Sequence, residues 1–213
     1  MTFISRRDLL KRVGMTSIAV PLVGREALRA THDAGTEQRL TAALENFTPE
    51  EGKLMDAIVA RLIPTDELGA GATEARAVVY IDRALGDALE SSKAAYASGL
   101  AALDRYAQAS RGAPFVALSP VDQDSVLIDV ETGAATGFPG GSAAFFAMVV
   151  NHTHQGTFGD PYYGGNANFV GWDLLQYPGV RTMVTAADQQ ALEHKQLKPN
   201  HKSAYDYETW RRG

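Results

Sequence analysis

The chain has 213 residues, 45% of them hydrophobic and 21% charged, an ordinary globular composition with enough length for a proper core. A net charge of −5 with no basic patch along the body argues against nucleic acid as a partner, and no apolar run is long enough to span a bilayer. Cysteine is absent, which excludes disulfides, cysteine-held zinc, iron–sulfur clusters, covalent haem attachment and thiol nucleophiles together.

The N-terminus reads as an address. Ser5-Arg6-Arg7-Asp8-Leu9-Leu10-Lys11 precedes a short apolar segment, Val13 to Val23, and paired arginines in that setting fit a twin-arginine export signal. Residues 1–30 are assigned to this signal, with Arg6 and Arg7 as its functional pair; Ala27-Leu28-Arg29-Ala30 makes a poor cleavage site. The twin-arginine route carries folded cargo, often with a cofactor already inserted. This chain shows no motif for one. Gly69-Ala70-Gly71-Ala72-Thr73-Glu74 lacks the last glycine of a dinucleotide fingerprint, and neither a P-loop nor a G-x-S-x-G elbow occurs. An export signal on such a chain suggests that a partner holds the cofactor.

Residues 31–47 read as a linker followed by a short helix, Glu37 to Phe47, and residues 48–197 as a helical domain. Thr48-Pro49-Glu50-Glu51 supplies an N-cap, a proline in the first turn and a capping-box glutamate; Leu54, Ile58 and Leu62 then form a core-facing stripe that Pro64 ends. Helices are also expected over Thr73 to Leu85, Ser91 to Ser110, and after the Ser119-Pro120 cap. Ser142 is a candidate cap for Ala143 to Val150, whose apolar run marks the most buried helix. A short helical turn at Asp173 to Gln176 and a helix over Thr185 to Leu197 complete the series. Strict alternation fails beyond about four residues, so the fold class is all-α with about six helices. In the tail, residues 198–213, Tyr205, Tyr207 and Trp210 either dock on a neighbour or pack on their own domain.

The chain is organised around Asn151 to Trp172, a stretch rich in glycine and aromatic residues that reads as one long ordered loop and the candidate functional surface. His152 and His154, two apart, would share a side of an extended segment and could bind a metal with Asp160; on a helix they would diverge. Acid–base chemistry by His152 or His154 with Asp160 is the sharper enzymatic alternative, that of a stand-alone periplasmic enzyme. Against both stands the preferred reading, in which these histidines, Asn151, Thr153 and Asn166 bond backbone groups that an irregular loop leaves unpaired.

With these residues in view, the sequence resembles the gluconate 2-dehydrogenase subunit 3 family. The twin-arginine start, Leu62-Ile63-Pro64-Thr65-Asp66, the run from His152-Thr153-His154-Gln155-Gly156 to Gly164-Gly165-Asn166, Gly171-Trp172 and Tyr177-Pro178-Gly179 carry the resemblance. It covers Thr48 to Gly179. Members often carry an acidic residue where this chain has Gln155. The resemblance implies a cofactor-free, non-catalytic small subunit of a periplasmic sugar or sugar-acid dehydrogenase complex associated with the inner membrane. In such complexes a flavoprotein of the glucose–methanol–choline type holds FAD, a cytochrome c subunit often accepts electrons, and the small subunit supplies the export signal. Related small subunits serve dehydrogenases for other sugars. On this reading His152, His154, Phe158, Asp160, Tyr162, Tyr163, Asn166 and Trp172 are candidates for the interface with the flavoprotein, and His152 or His154 could reach towards its active site.

Overall fold

The computed structural model describes residues 44–207. Arg6, Arg7, the signal and linker segments, most of the helix expected at Glu37 to Phe47, and Trp210 lie outside the described residues. Among the described residues there are seven α-helices and no strand, as an all-α fold requires: α1 Pro49–Leu62, α2 Ala77–Ala84, α3 Lys93–Arg111, α4 Pro120–Glu131, α5 Ser142–Phe158, α6 Val170–Leu174 and α7 Ala186–Glu193. None of these helices is long and apolar enough to cross a membrane.

Local chemistry sets most of the boundaries. Thr48 and Glu51 form the capping box at the start of α1, and Ser119 caps α4 ahead of Pro120. Helix α3 ends at Gly112, whose φ of 80° closes it in the left-handed conformation. The helix expected from Thr73 starts later, at Ala77. The turn before it folds back on α1, with the Ala72 N–H donating to Ile63 O at 2.9 Å, and a side chain at Gly71 would meet Ile63 O. The chain must clear that backbone before it can coil. At the other end, α7 stops at Glu193, four residues short of the expected Leu197, where Lys195 takes a φ of 55°.

The core is a single cluster drawn from α1 to α5, with Tyr96 of α3 at its centre. The Tyr96 ring meets Phe47 at 5.5 Å and Phe145 at 6.3 Å, both edge-on. Helix α5 packs on α2 and α4 and approaches α3 through Gly99, where an added Cβ would fall 2.2 Å from the Phe145 ring. It is the central helix but not the most buried: Ala143, Ala144 and Ala147 are exposed, and the inward stripe is Ser142, Phe145, Val149, His152, Thr153, Gly156 and Thr157. An apolar run can supply a helix with more nonpolar surface than its neighbours cover.

One buried charge ties the segment ahead of α1 to the bundle. Asp82 of α2 is fully buried, and its carboxylate accepts from the N–H groups of Glu45 at 2.6 Å, Asn46 at 2.9 Å and Phe47 at 2.7 Å. Asn46 returns a bond from Nδ2 to Asp82 O at 2.7 Å. Three donors aimed at one carboxylate compensate its loss of water. The Asp82→Asn variant turns one acceptor into a donor facing donors. It should lower unfolding free energy by about 2–4 kcal/mol in urea titrations, against about 1 kcal/mol for Glu51→Ala in the exposed capping box. Equal losses would mean that water, not Asp82, satisfies the 45–47 backbone.

Candidate functional site

The stretch from Asn151 to Trp172 is not one loop. Helix α5 runs on through the first eight of those residues to Phe158 and stops where Gly159-Asp160-Pro161 removes the next helical donor. Gly156 sits inside the helix because α2 lies against it: a Cβ there would come 2.9 Å from Ala77 Cα and 3.1 Å from the Tyr80 ring.

A helix end leaves carbonyls without partners, and the following residues turn back to satisfy them. The Gly159 N–H donates to Gln155 O at 2.9 Å and the Asn166 N–H to Gly156 O at 2.7 Å. Trp172 Nε1 donates to Phe158 O at 2.9 Å, and Asn166 Nδ2 to Gly159 O at 2.8 Å. Asn166 Oδ1 accepts from the Gly171 N–H at 2.9 Å. Asn166 is fully buried and left-handed, with φ and ψ both 42°, a conformation asparagine tolerates better than most residues. The returning backbone lies so close that a Cβ on Gly165 would fall 2.1 Å from Gly156 O, and one on Gly171 1.8 Å from Thr157 O. The glycines and Asn166 are thus the cap of α5.

The histidines do not share a side. On a helix two positions two residues apart point in nearly opposite directions, so His152 is buried while His154 is exposed, at 6.1 Å from the Phe158 ring. His152 bonds a side chain rather than the loop backbone: its Nδ1 lies 3.0 Å from the Tyr96 hydroxyl. Burial holds the Tyr96 phenol well above its ordinary range, so the hydroxyl keeps its proton and donates it to Nδ1. Burial pushes the His152 imidazole down, which favours the neutral ring this bond needs. Desolvation lowers His154 too, although its side chain is the more exposed of the two.

Asp160 faces elsewhere again. Its Oδ1 accepts from the Tyr162 N–H at 2.9 Å and Ser203 Oγ at 2.6 Å, and its Oδ2 from the Ala204 N–H at 2.9 Å. The carboxylate caps the Pro161–Tyr163 turn and clamps the C-terminal segment to it. His152, His154 and Asp160 therefore do not converge, and no group of three potential metal ligands exists among the described residues. Nor does the glycine turn at Gly69–Gly71 form a dinucleotide cradle: Gly71 is closed by the Ile63 and Pro64 backbone, and the next helix begins only at Ala77.

Of the nominated aromatics, Trp172 is buried against Phe169 and Tyr177, and Phe158 packs on the core. Tyr162 and Tyr163 are 62% and 51% exposed. Tyr205 stacks on Tyr162 at 3.8 Å, and its hydroxyl meets that of Tyr163 at 2.7 Å, a bond that raises the Tyr205 phenol. Tyr207 donates to Val180 O at 2.7 Å, so both described tail tyrosines pack on their own chain. Sequence reasoning missed Ser203 and Asp206, although Ser203 followed three residues later by Asp206 is a capping-box pattern, and the pair caps Ala204–Asp206. It also missed Tyr80, whose hydroxyl donates to Gln155 Oε1 at 3.1 Å. No local signal announces that pair.

The family model described as gluconate 2-dehydrogenase subunit 3 matches residues 49–179. No curated protein and no solved structure matches the chain.

Two predictions test this site. Asn166→Ala should destabilise by about 3 kcal/mol, because the partly buried Gly159 O and the buried Gly171 N–H lose their partners. Asn166→Gly, which adopts the left-handed conformation freely, should recover only about 1 kcal/mol of that loss; full recovery would show that the side-chain bonds contribute nothing. The second concerns pH. With His152 lowered in the fold, the unfolded chain takes up the proton first, so its contribution is present above about pH 6.5 and is lost as pH falls below it. The thermal midpoint should drop between about pH 7.5 and about pH 5.5, and less steeply in His152→Asn, which keeps an acceptor near the Nδ1 position. An identical drop in the variant would assign the effect to another group.

Proposed function

Since the chain belongs to the gluconate 2-dehydrogenase subunit 3 family, we propose that it is a non-catalytic small subunit of a periplasmic, FAD-dependent sugar or sugar-acid dehydrogenase complex. Its role is to bring a folded flavoprotein of the glucose–methanol–choline type through the twin-arginine route by means of Arg6 and Arg7. The flavoprotein holds FAD and oxidises the substrate, and a cytochrome c subunit is the natural electron acceptor. One observation carries the reading: the residues that could have done chemistry are committed to holding the chain together. His152 bonds Tyr96, Asp160 bonds Ser203 and Ala204, and Asn166 bonds the end of α5. What remains outward is Tyr162, Tyr163 and His154, side chains suited to contact with a neighbour.

The test is to tag the chain at Gly213, express it with its neighbouring genes and record the absorption spectrum of what co-purifies. A flavin band, with or without a haem band, is expected. A colourless lone protein would overturn the reading. Arg6→Lys with Arg7→Lys should hold the flavoprotein in the cytoplasm along with this chain. Flavoprotein in the periplasm of that double variant would refute the export role while leaving the subunit role standing.

A further inference from the structure

We propose that Arg76 and Arg83 of the α2 region, together with Tyr162 and Tyr163, form the face on which a carboxylate-bearing surface of the partner subunit docks. The proposal rests on the reading of the chain as a subunit and names the chemistry of its interface.

The face begins with two arginines whose charges are uncommitted. Arg61, Arg111 and Arg181 each close on a carboxylate, at 2.7 Å from Asp124, 2.9 Å from Asp129 and 3.6 Å from Asp188. Arg76 and Arg83 are exposed and make no ion pair or side-chain hydrogen bond within the described residues. Tyr80 and Arg83, three residues apart, neighbour each other on α2, and Arg76 is the left-handed residue that caps its start. Tyr80 lies between them, anchored to Gln155 of α5.

This side of α2 is continuous with the tyrosine turn. The Arg83 guanidinium lies over Gly164, so close that a Cβ at Gly164 would fall 2.6 Å from Nη1. Gly164 directly follows Tyr163, so the cation lies against the turn that carries the two exposed phenol rings. The rings are held by the Tyr205 stack and by the Asp160 cap, so docking on them orders little that is loose. Arginine and tyrosine are the residue types in which interface energy concentrates.

Charge selects the occupant. Residues 44–131 contain 15 Asp and Glu against 7 Lys and Arg. An acidic partner surface is repelled by most of this body and accepted along the α2 stretch, whose two ends each carry an unpaired guanidinium, which fixes orientation as well as attraction. The exposed apolar residues Val121 and Ile128 on α4 supply no such selection.

The experiment measures affinity between the purified partner and the wild-type chain at several salt concentrations, then repeats it with variants whose folding is checked by circular dichroism. Arg76→Glu with Arg83→Glu should weaken binding by about 10-fold or more and flatten its salt dependence. Tyr162→Ser with Tyr163→Ser should weaken it without changing the salt slope. Arg105→Glu, which reverses an exposed charge on α3, should stay within about twofold. Retention of wild-type affinity by the arginine double variant would overturn the proposal, as would loss of binding in Val121→Ser with Ile128→Ser alone. A partner that carries no flavin would refute the flavoprotein reading, yet the same variants would still read this face. Capture of no partner at all by the wild-type chain would remove both.

Discussion

Helix α5 ends inside the protein, at Phe158, against the chain that follows it. Its terminal carbonyls cannot be buried without donors, and the chain supplies them from within the next fourteen residues, through the Asn166 backbone and side chain and the Trp172 indole. Those bonds require the returning backbone to lie on the helix with no side chain between them. That is why glycine stands at 165 and 171, where a Cβ would meet Gly156 O and Thr157 O. Once the loop is drawn in, the Pro161–Tyr163 turn has one place to go, and Asp160 at its head faces the C-terminal segment. The tail then locks through Ser203, and its Tyr205 ring completes the tyrosine cluster.

The same close approach governs the helices. Gly156 lets α5 meet Ala77 of α2, and Gly99 of α3 leaves room for Phe145. With α5 pressed on both neighbours, the Tyr96 hydroxyl and the His152 imidazole face each other inside the core. There each satisfies a group that would otherwise be costly to bury. Asp82 solves a similar problem on α2, gathering the backbone ahead of α1. Helix α2 is therefore held by α5 and through Asp82, while the Arg76 and Arg83 side chains stand exposed to solvent.

How much of this the sequence disclosed depends on whether the signal was local. The caps at Thr48 and Ser119 were legible because the capping side chain and the proline are neighbours of the helix they start. The continuation of α5 was not. The apolar run ends at Val150, and His-Thr-His-Gln-Gly has the composition of a loop. Yet Phe145, Val149, His152, Thr153 and Gly156 keep helical spacing once a histidine with a buried partner and a glycine under another helix count as inward positions. Asn166 was singled out for backbone bonding, and it does bond the backbone. Asp82 with residues 45–47, Tyr96 with His152, and Tyr80 with Gln155 stayed hidden because partners from 35 to 75 residues apart leave no periodic trace.

A dense run of His, Asp, Asn, Gly and Tyr invites a catalytic interpretation, because those residue types do chemistry elsewhere. Here most of them do architectural work: Asp160 as a cap and clamp, Asn166 as a helix terminator, His152 as a core acceptor, the glycines as points of contact between backbones. Such roles demand residue identity as strictly as catalysis does, since a buried group deprived of its partner costs about 1–3 kcal/mol in a fold with only a few times that to lose. A damaging substitution in this motif is therefore as well explained by a loosened α5 as by lost chemistry. Only residues whose side chains are not committed within the fold, Arg76 and Arg83 foremost, can report directly on what the surface recognises.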